Sequence, residues 1–144
     1  MSLVIDETIE IDAPAAKVWE VLTDFERYGE WNTFCYEASS TLEPGSTIDM
    51  RVQLGSNRRP QREWIRTHTP GVEFSYTMKP VPLGALHSLR SHTVVPLGPD
   101  RCRYESRFTL AGWLSPVVNL ALGKDLRAGF GAMTAGVGKH ATGI

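Results

Sequence analysis

From Ser115 to His140 the chain repeats apolar residues at the spacing of one helical face. Val118, Leu122, Leu126, Phe130, Met133 and Val137 follow one another at steps of three or four. Side chains at that spacing share one side of an α-helix, so the stripe predicts a single long amphipathic helix. Ser115 followed by Pro116 supplies a start: the serine is a candidate cap, and the proline stands where its missing N–H costs nothing. From Pro116 to His140 such a helix would be about 37 Å long at ~1.5 Å per residue. Lys124, Asp125 and Arg127 interrupt it, so it is not a membrane span. A helix with one greasy face needs a broad cover, which must come from the middle of the chain.

Leu3 to Ile11 alternate, with Ile5, Ile9 and Ile11 on one face and Asp6, Thr8 and Glu10 on the other, as in a half-buried strand. Asp12-Ala13-Pro14 makes a turn and starts a helix, with Asp12 or Ala13 as cap and Pro14 in its first turn. Val18, Leu22 and Phe25 give that helix an apolar side, which Trp19 widens. Tyr28 and Trp31 continue the pattern, but Gly29 favours a second short helical turn over one unbroken helix. From Phe34 to Leu110 the period becomes two, predicting strands near 34–42, 46–54, 61–68, 72–78, 87–96 and 101–110. All but one of the links between them are about six residues or fewer. A parallel pair needs a crossover of about a dozen, so the neighbours run antiparallel.

The expected architecture is α+β: seven antiparallel strands, two short helices between the first and second, and a long C-terminal helix. No repeat or linker divides it, so residues 1–144 read as a single domain. Net charge is −1 and the pI about 6.4, which provides no basic field for nucleic acid. Asp6, Glu7, Glu10 and Asp12 stand where a leader would be basic and then apolar, so the cytoplasm is the expected compartment. Cys35 and Cys102 lack metal spacing and read as reduced, buried residues.

Seven strands at ~4.8 Å spacing span roughly 30 Å, whereas a helix with its side chains is about 10–12 Å across. The sheet must therefore curl around the helix, and such a trough tends to leave a space. Gly123, Gly129, Gly131, Gly136 and Gly138 fall within the helix. Each glycine costs about 1 kcal/mol relative to alanine. They leave room either for a neighbouring backbone, in close packing against the sheet, or for a ligand.

The stretch Ile11-Asp12-Ala13-Pro14, then Val18-Trp19, Leu22-Thr23-Asp24, Tyr28 and Trp31-Asn32, resembles the start of polyketide cyclase/dehydrase-type proteins of the START-like (SRPBCC) superfamily. His92, Pro96, Phe108, Gly112 and Pro116 match that family's later His, Pro, Phe, Gly and Pro series. The resemblance covers essentially the whole chain. It implies a helix-grip fold, a curved sheet wrapped around the C-terminal helix, with a hydrophobic cavity. It also implies a cavity mouth ringed by the loops 31–33, 55–60, 79–86 and 111–116.

Glu7 shares the apolar phase of its strand, where desolvation would suit a general acid or base; an arginine partner or a twist into solvent is the structural alternative. His87 and His92 lie five apart on one strand, so only one can face the cavity. Tyr76 and Tyr104 carry hydroxyls into apolar surroundings, to meet either a bound carbonyl or a neighbouring side chain. Arg58, Arg59, Arg62 and Arg66 cluster around one hairpin, Arg62 and Arg66 on the face of Trp64. They read as a solvated hairpin, or as a reach toward an acidic head group. Neither Gly129-Phe130-Gly131 nor Gly136-Val137-Gly138-Lys139 fits a nucleotide loop, since no strand precedes them and His140 stands where Ser or Thr is required. No histidine pair has metal-ligand spacing. No metal, cofactor or catalytic residue is therefore assigned.

The reading that follows is binding of a hydrophobic small molecule such as a lipid, polyketide or isoprenoid, with transport and sequestration left open. The expected lining is Glu7, Trp31, Met50, Trp64, Tyr76, His87 or His92, Tyr104, Phe108, Leu126, Phe130 and Met133. A second reading is a cyclase/dehydratase, with Glu7 or a histidine moving a proton and a tyrosine holding the carbonyl oxygen. A third is a protein-interaction module with a solid core. Stable membrane insertion and nucleic-acid binding are not expected, and a homodimer is left open.

Overall fold

The computed structural model describes residues 2–143; Met1 and Ile144, at the ends of the expected domain, lie outside the described residues. The elements are β1 (Ser2–Ile11), α1 (Ala15–Thr23), a 3₁₀ segment (Phe25–Glu30), β2 (Cys35–Ser39), β3 (Thr47–Leu54), β4 (Asn57–Thr69), β5 (Glu73–Thr77), a 3₁₀ turn (Pro82–Gly84), β6 (His87–Gly98), β7 (Arg101–Ala111) and α2 (Ser115–Thr142). The strands form one seven-stranded sheet in the order β1-β7-β6-β5-β4-β3-β2. Every neighbouring pair is antiparallel. β1 and β2 follow each other in sequence yet form opposite edges, and α1 with the 3₁₀ segment bridges them. This is the helix-grip arrangement.

The helix starts differ in detail from those expected. α2 begins at Ser115 itself, with Leu114 as the preceding residue and no side-chain cap from it, and Pro116 lies in the first turn. At α1, Pro14 is the residue before the helix, in extended conformation. Its carbonyl accepts the first helical hydrogen bonds, from the N–H groups of Lys17 and Val18, so the cap position is Pro14, without a side-chain cap, rather than Asp12 or Ala13. At the far end, Gly143 turns left-handed at φ 75° and closes α2.

One end of the trough is packed solid. Val137, Met133, Tyr104, Cys102, Val18 and Leu22 are each no more than 2 % exposed there. Gly129, Gly136 and Gly138 serve close packing. A Cβ at Gly129 would lie 2.3 Å from Cδ1 of Phe34, and one at Gly136 would lie 3.0 Å from the Trp31 ring. Without those side chains, the C-terminal half of α2 comes down onto Phe34, Trp31 and Ile9.

The connections at the other end are tied together. Gly112 has φ 111°, and a Cβ there would meet the Ala85 carbonyl oxygen at 2.4 Å. The Leu114 N–H donates to that oxygen at 2.9 Å, and the Trp113 indole N–H donates to the Leu83 carbonyl at 3.1 Å. The β5–β6 loop is thereby held against the start of α2. Trp31, expected at a cavity mouth, instead stacks on His140 with ring centroids 6.0 Å apart, at the last turns of α2. Its loop belongs to the closed end.

Candidate functional site

Between the sheet and the first half of α2 lies a cavity of about 290 Å³. β3 contributes Met50, Val52 and Leu54, every second residue of a strand whose inward set is buried. Val118, Leu122, Leu126 and Phe130 enter from α2 at steps of four, and Phe34, Met78, Leu86, Phe108 and Leu110 complete the apolar wall. Six polar residues break it: Arg59, Gln61 and Glu63 on β4, Tyr76 on β5, and Ser88 and Arg90 on β6.

The charged members follow from strand phase. In β4 the inward set is Arg59, Gln61 and Glu63, so Trp64 takes the other side, opposite Thr47 and Thr77. The strand then slips register between Ile65 and Thr67. Gln61 Nε2 donates to Glu63 Oε2 at 3.2 Å. Burial pushes the Glu63 carboxyl above its usual range, with the Gln61 hydrogen bond and the Arg90 charge opposing. Arg59 belongs to the basic hairpin, while its neighbour Arg58 lies over the Tyr36 ring at 4.8 Å and Arg62 pairs with Asp49.

Arg90 is the most unusual of the set, because its side chain is only 4 % exposed. The guanidinium carbon lies 3.9 Å from the centre of the Phe130 ring and 5.8 Å from that of Phe34. Nη2 donates at 3.4 Å to Ser106 Oγ, long for an oxygen acceptor, and at 3.4 Å to Met133 Sδ, an ordinary distance for this weak acceptor. Nε has no hydrogen-bond partner among the described residues. Arg90 forms no ion pair with any described carboxylate either.

Beside it runs a fully buried chain of hydrogen bonds. The Tyr76 hydroxyl lies 3.0 Å from His92 Nε2, and His92 Nδ1 lies 2.6 Å from the Tyr104 hydroxyl. Burial first, and the Arg90 charge second, hold His92 well below the usual histidine range, so its ring is neutral. A neutral imidazole donates through one nitrogen and accepts through the other. If Tyr104 donates to Nδ1, the Nε2–H bonds the Tyr76 oxygen and frees the Tyr76 O–H; the opposite tautomer leaves that oxygen's lone pairs free. Burial raises both tyrosines, so each stays protonated.

Of the residues expected to line a site, Met50, Tyr76, Phe108, Leu126 and Phe130 meet around this cavity. His92, Tyr104 and Met133 are buried behind its wall. His87 is exposed at the start of β6, and Trp31 and Trp64 lie elsewhere. Glu7 is half-buried and accepts from Thr134 Oγ1 at 2.7 Å, a clamp between β1 and α2 away from the cavity. Burial pushes the Cys35 thiol up to about 12, which disfavours a reactive thiolate. Among the described residues, no group of three or more His, Cys, Asp or Glu could hold a metal, and no helix is long and apolar enough to cross a membrane. Gln61, Glu63, Ser88 and Arg90 were not expected at a site. The alternation of Ser88, Arg90 and His92 placed them on one face, but no residue-type signal marks an inward arginine.

Solved structures with the same fold include the Zhui aromatase/cyclase from a Streptomyces species. It superposes with a TM-score of 0.79 over 99 % of this chain and 94 % of its own, at 16 % identity. Norcoclaurine synthase from Thalictrum flavum, in complex with dopamine and hydroxybenzaldehyde, gives 0.72 over 99 % and 87 % at 17 % identity. A START superfamily protein from Mycobacterium smegmatis gives 0.62 over 87 % and 94 % at 15 %. In sequence, 56 residues, 38 % of the chain, are 36 % identical to the "Oxopyrrolidines biosynthesis cluster protein O" of Penicillium oxalicum, and that match spans 28 % of the relative's length. The profile of one family, described as polyketide cyclase / dehydrase and lipid transport, matches residues 2–138. A curled seven-stranded sheet, a gripped C-terminal helix and an apolar hollow between them accompany that match, and the chain belongs to the polyketide cyclase / dehydrase and lipid transport family.

Proposed function

We propose that this protein binds a mainly hydrophobic small molecule in the cavity between its sheet and the first half of α2, to carry or sequester it. The observation that carries this reading is the hollow itself: about 290 Å³, walled largely by Met, Val, Leu and Phe side chains, with a few polar groups converging on it. Small-molecule sites usually begin near ~300 Å³ and combine an apolar wall with sparse polar contacts. Burial of ligand surface would supply affinity at roughly 25 cal/mol per Å², and the polar groups would set orientation.

Filling the hollow tests the reading. Leu126→Trp adds an indole from the helix side, where the residue is only half-buried. Native mass spectrometry of the wild-type protein, purified from its own host, should find a co-purifying small molecule, and the variant should lose it. Retention of the same molecule at the same occupancy by the variant would place the ligand elsewhere.

A second reading, catalysis on a polyketide-like carbonyl compound, is favoured by the raised Glu63 carboxyl on the cavity wall. Glu63 would be the group that moves a proton, in place of Glu7 or a histidine, and Tyr76 or Arg90 would hold the oxygen. Glu63→Gln should then abolish turnover while leaving binding intact. The interaction-module reading required a solid core and is not carried forward.

A further inference from the structure

We propose that the ligand carries a single carboxylate, and that this group is held by Arg90 at the inner wall of the cavity. The inference rests on the cavity being the binding site and adds the chemistry of one end of its occupant.

A guanidinium this deeply buried is expensive unless something answers its charge. Here the answer is incomplete. Two aromatic faces, a thioether sulfur and the Ser106 and Tyr104 hydroxyls surround it, Nε is unpartnered, and Glu63 acts on it through its field but forms no ion pair with it. The same side chain lines the hollow, so an incoming group can reach it. An arginine's planar donors match the two oxygens of a carboxylate.

The surroundings favour one negative charge over two. Glu63 stands half-buried on the same cavity wall and would repel the second charge of a phosphate monoester, while the wall's other cation, Arg59, is exposed and screened by water. The Glu63 carboxyl itself holds charge less readily than a surface glutamate's, because burial raises its pKa. Arg90 answers a first negative charge, and a second would meet Glu63 with no buried cation of its own. Twelve of the eighteen wall residues are apolar, so most of the remainder of the ligand is hydrocarbon, either an alkyl chain or a fused aromatic ring.

Matched pairs separate charge from shape. Isothermal titration of the full chain with decanoate against 1-decanol, and with 2-naphthoate against 2-naphthol, compares an acid with its neutral counterpart on each skeleton. The skeleton that binds better identifies the source, an acyl chain or a ring system. A charge-assisted hydrogen bond corresponds to about tenfold or more in affinity, so the acid of the better pair should bind at least about tenfold tighter than its alcohol. Arg90→Met should erase that preference while the alcohol's affinity holds.

A thermal-melt measurement guards against a merely structural arginine. A buried cation without an ion pair carries a desolvation cost that an apolar residue of similar length does not, so replacing it is neutral or stabilising. Arg90→Met should therefore melt no lower than the wild type without ligand, and only the rise caused by the acid should vanish. Equal binding of acid and alcohol, a preference that survives in the variant, or a lower melting temperature of the ligand-free variant would each overturn the carboxylate assignment and leave the pocket reading standing. Failure of all four probes to bind would overturn both.

Discussion

Along α2, the segment from Gly129 to Gly138 lies in close contact with Phe34, Trp31 and Ile9, whereas Val118, Leu122 and Leu126 face a void. The same helix and the same sheet thus produce a dry core at one end and a hollow at the other. Two local causes account for the difference. Glycines let the helix come down onto Phe34 and Trp31 of the connection before β2, and onto Ile9 of β1, in the closed half. In the open half, β4 turns Arg59, Gln61 and Glu63 inward, and a face of that kind cannot pack dry against leucines without stripping water from its charges. Space follows from polarity, and the large apolar residues of α2 line it without filling it.

That contrast is broken most forcefully by truncating one residue from each half. Met133 is 2 % exposed and fully packed, so Met133→Ala should cost about 2–5 kcal/mol of stability. Leu122 is half-buried beside existing empty space, so Leu122→Ala should cost less than about 1 kcal/mol. Urea denaturation of the two variants measures both. Equal costs would mean that the hollow is not open in solution.

Much of this molecule was legible in its residues, and the part that was not has a physical reason. The stripe from Val118 to Val137 and the short links between strands led to the long helix and the antiparallel sheet, because periodicity and loop length act locally. Met50, Phe108, Leu126 and Phe130 were legible as wall residues for the same reason: large apolar side chains in phase with a buried face. β4 was misread because hydrophobicity was used to assign its phase. Trp64 suggested one inward set, whereas the strand turns Arg59, Gln61 and Glu63 inward. The glycines of α2 were ambiguous on paper, since a missing side chain can admit a ligand or a neighbour alike. Arg90 could not be recognised at all, because its burial depends on Phe34, Phe130 and Met133, which are distant in sequence.

The closed half also carries a pH signature. Folding keeps His92 neutral, with its pKa lowered by burial and then by Arg90, while an unfolded histidine takes up a proton near pH ~6.5. The unfolded state therefore binds more protons below that pH, and stability falls as the pH drops. The slope from one such group reaches at most about 1.4 kcal/mol per pH unit. His92→Gln should have a shallower loss of stability between about pH 6.5 and pH 5 than the wild type, followed by urea midpoints across that range. Superimposable slopes would mean that the folded protein protonates His92, against the tight Tyr76–His92–Tyr104 chain.

The smallest expected effects come from the glycines, and they test the cause assigned to the closed half. Gly123 and Gly129 both sit in α2, and alanine at either gains up to about 1 kcal/mol of helix propensity. At Gly123 the nearest atoms to a new Cβ are the ends of the Asn119 and Arg127 side chains, which can swing away. Gly123→Ala should therefore stabilise by a few tenths to about 1 kcal/mol. At Gly129 the new methyl meets the Phe34 ring, which is buried and held edge-on by Phe130 at 5.0 Å. Overpacking of that kind costs about 1–3 kcal/mol, enough to cancel or reverse the propensity gain. Relief is available in one direction only, since Phe34 also lines the cavity and can shift into it. Gly129→Ala should consequently weaken binding of a cavity ligand while changing stability little, whereas Gly123→Ala should leave binding unchanged. Equal stabilisation by both substitutions, with ligand affinity unaffected in each, would remove close approach as the reason for glycine at position 129.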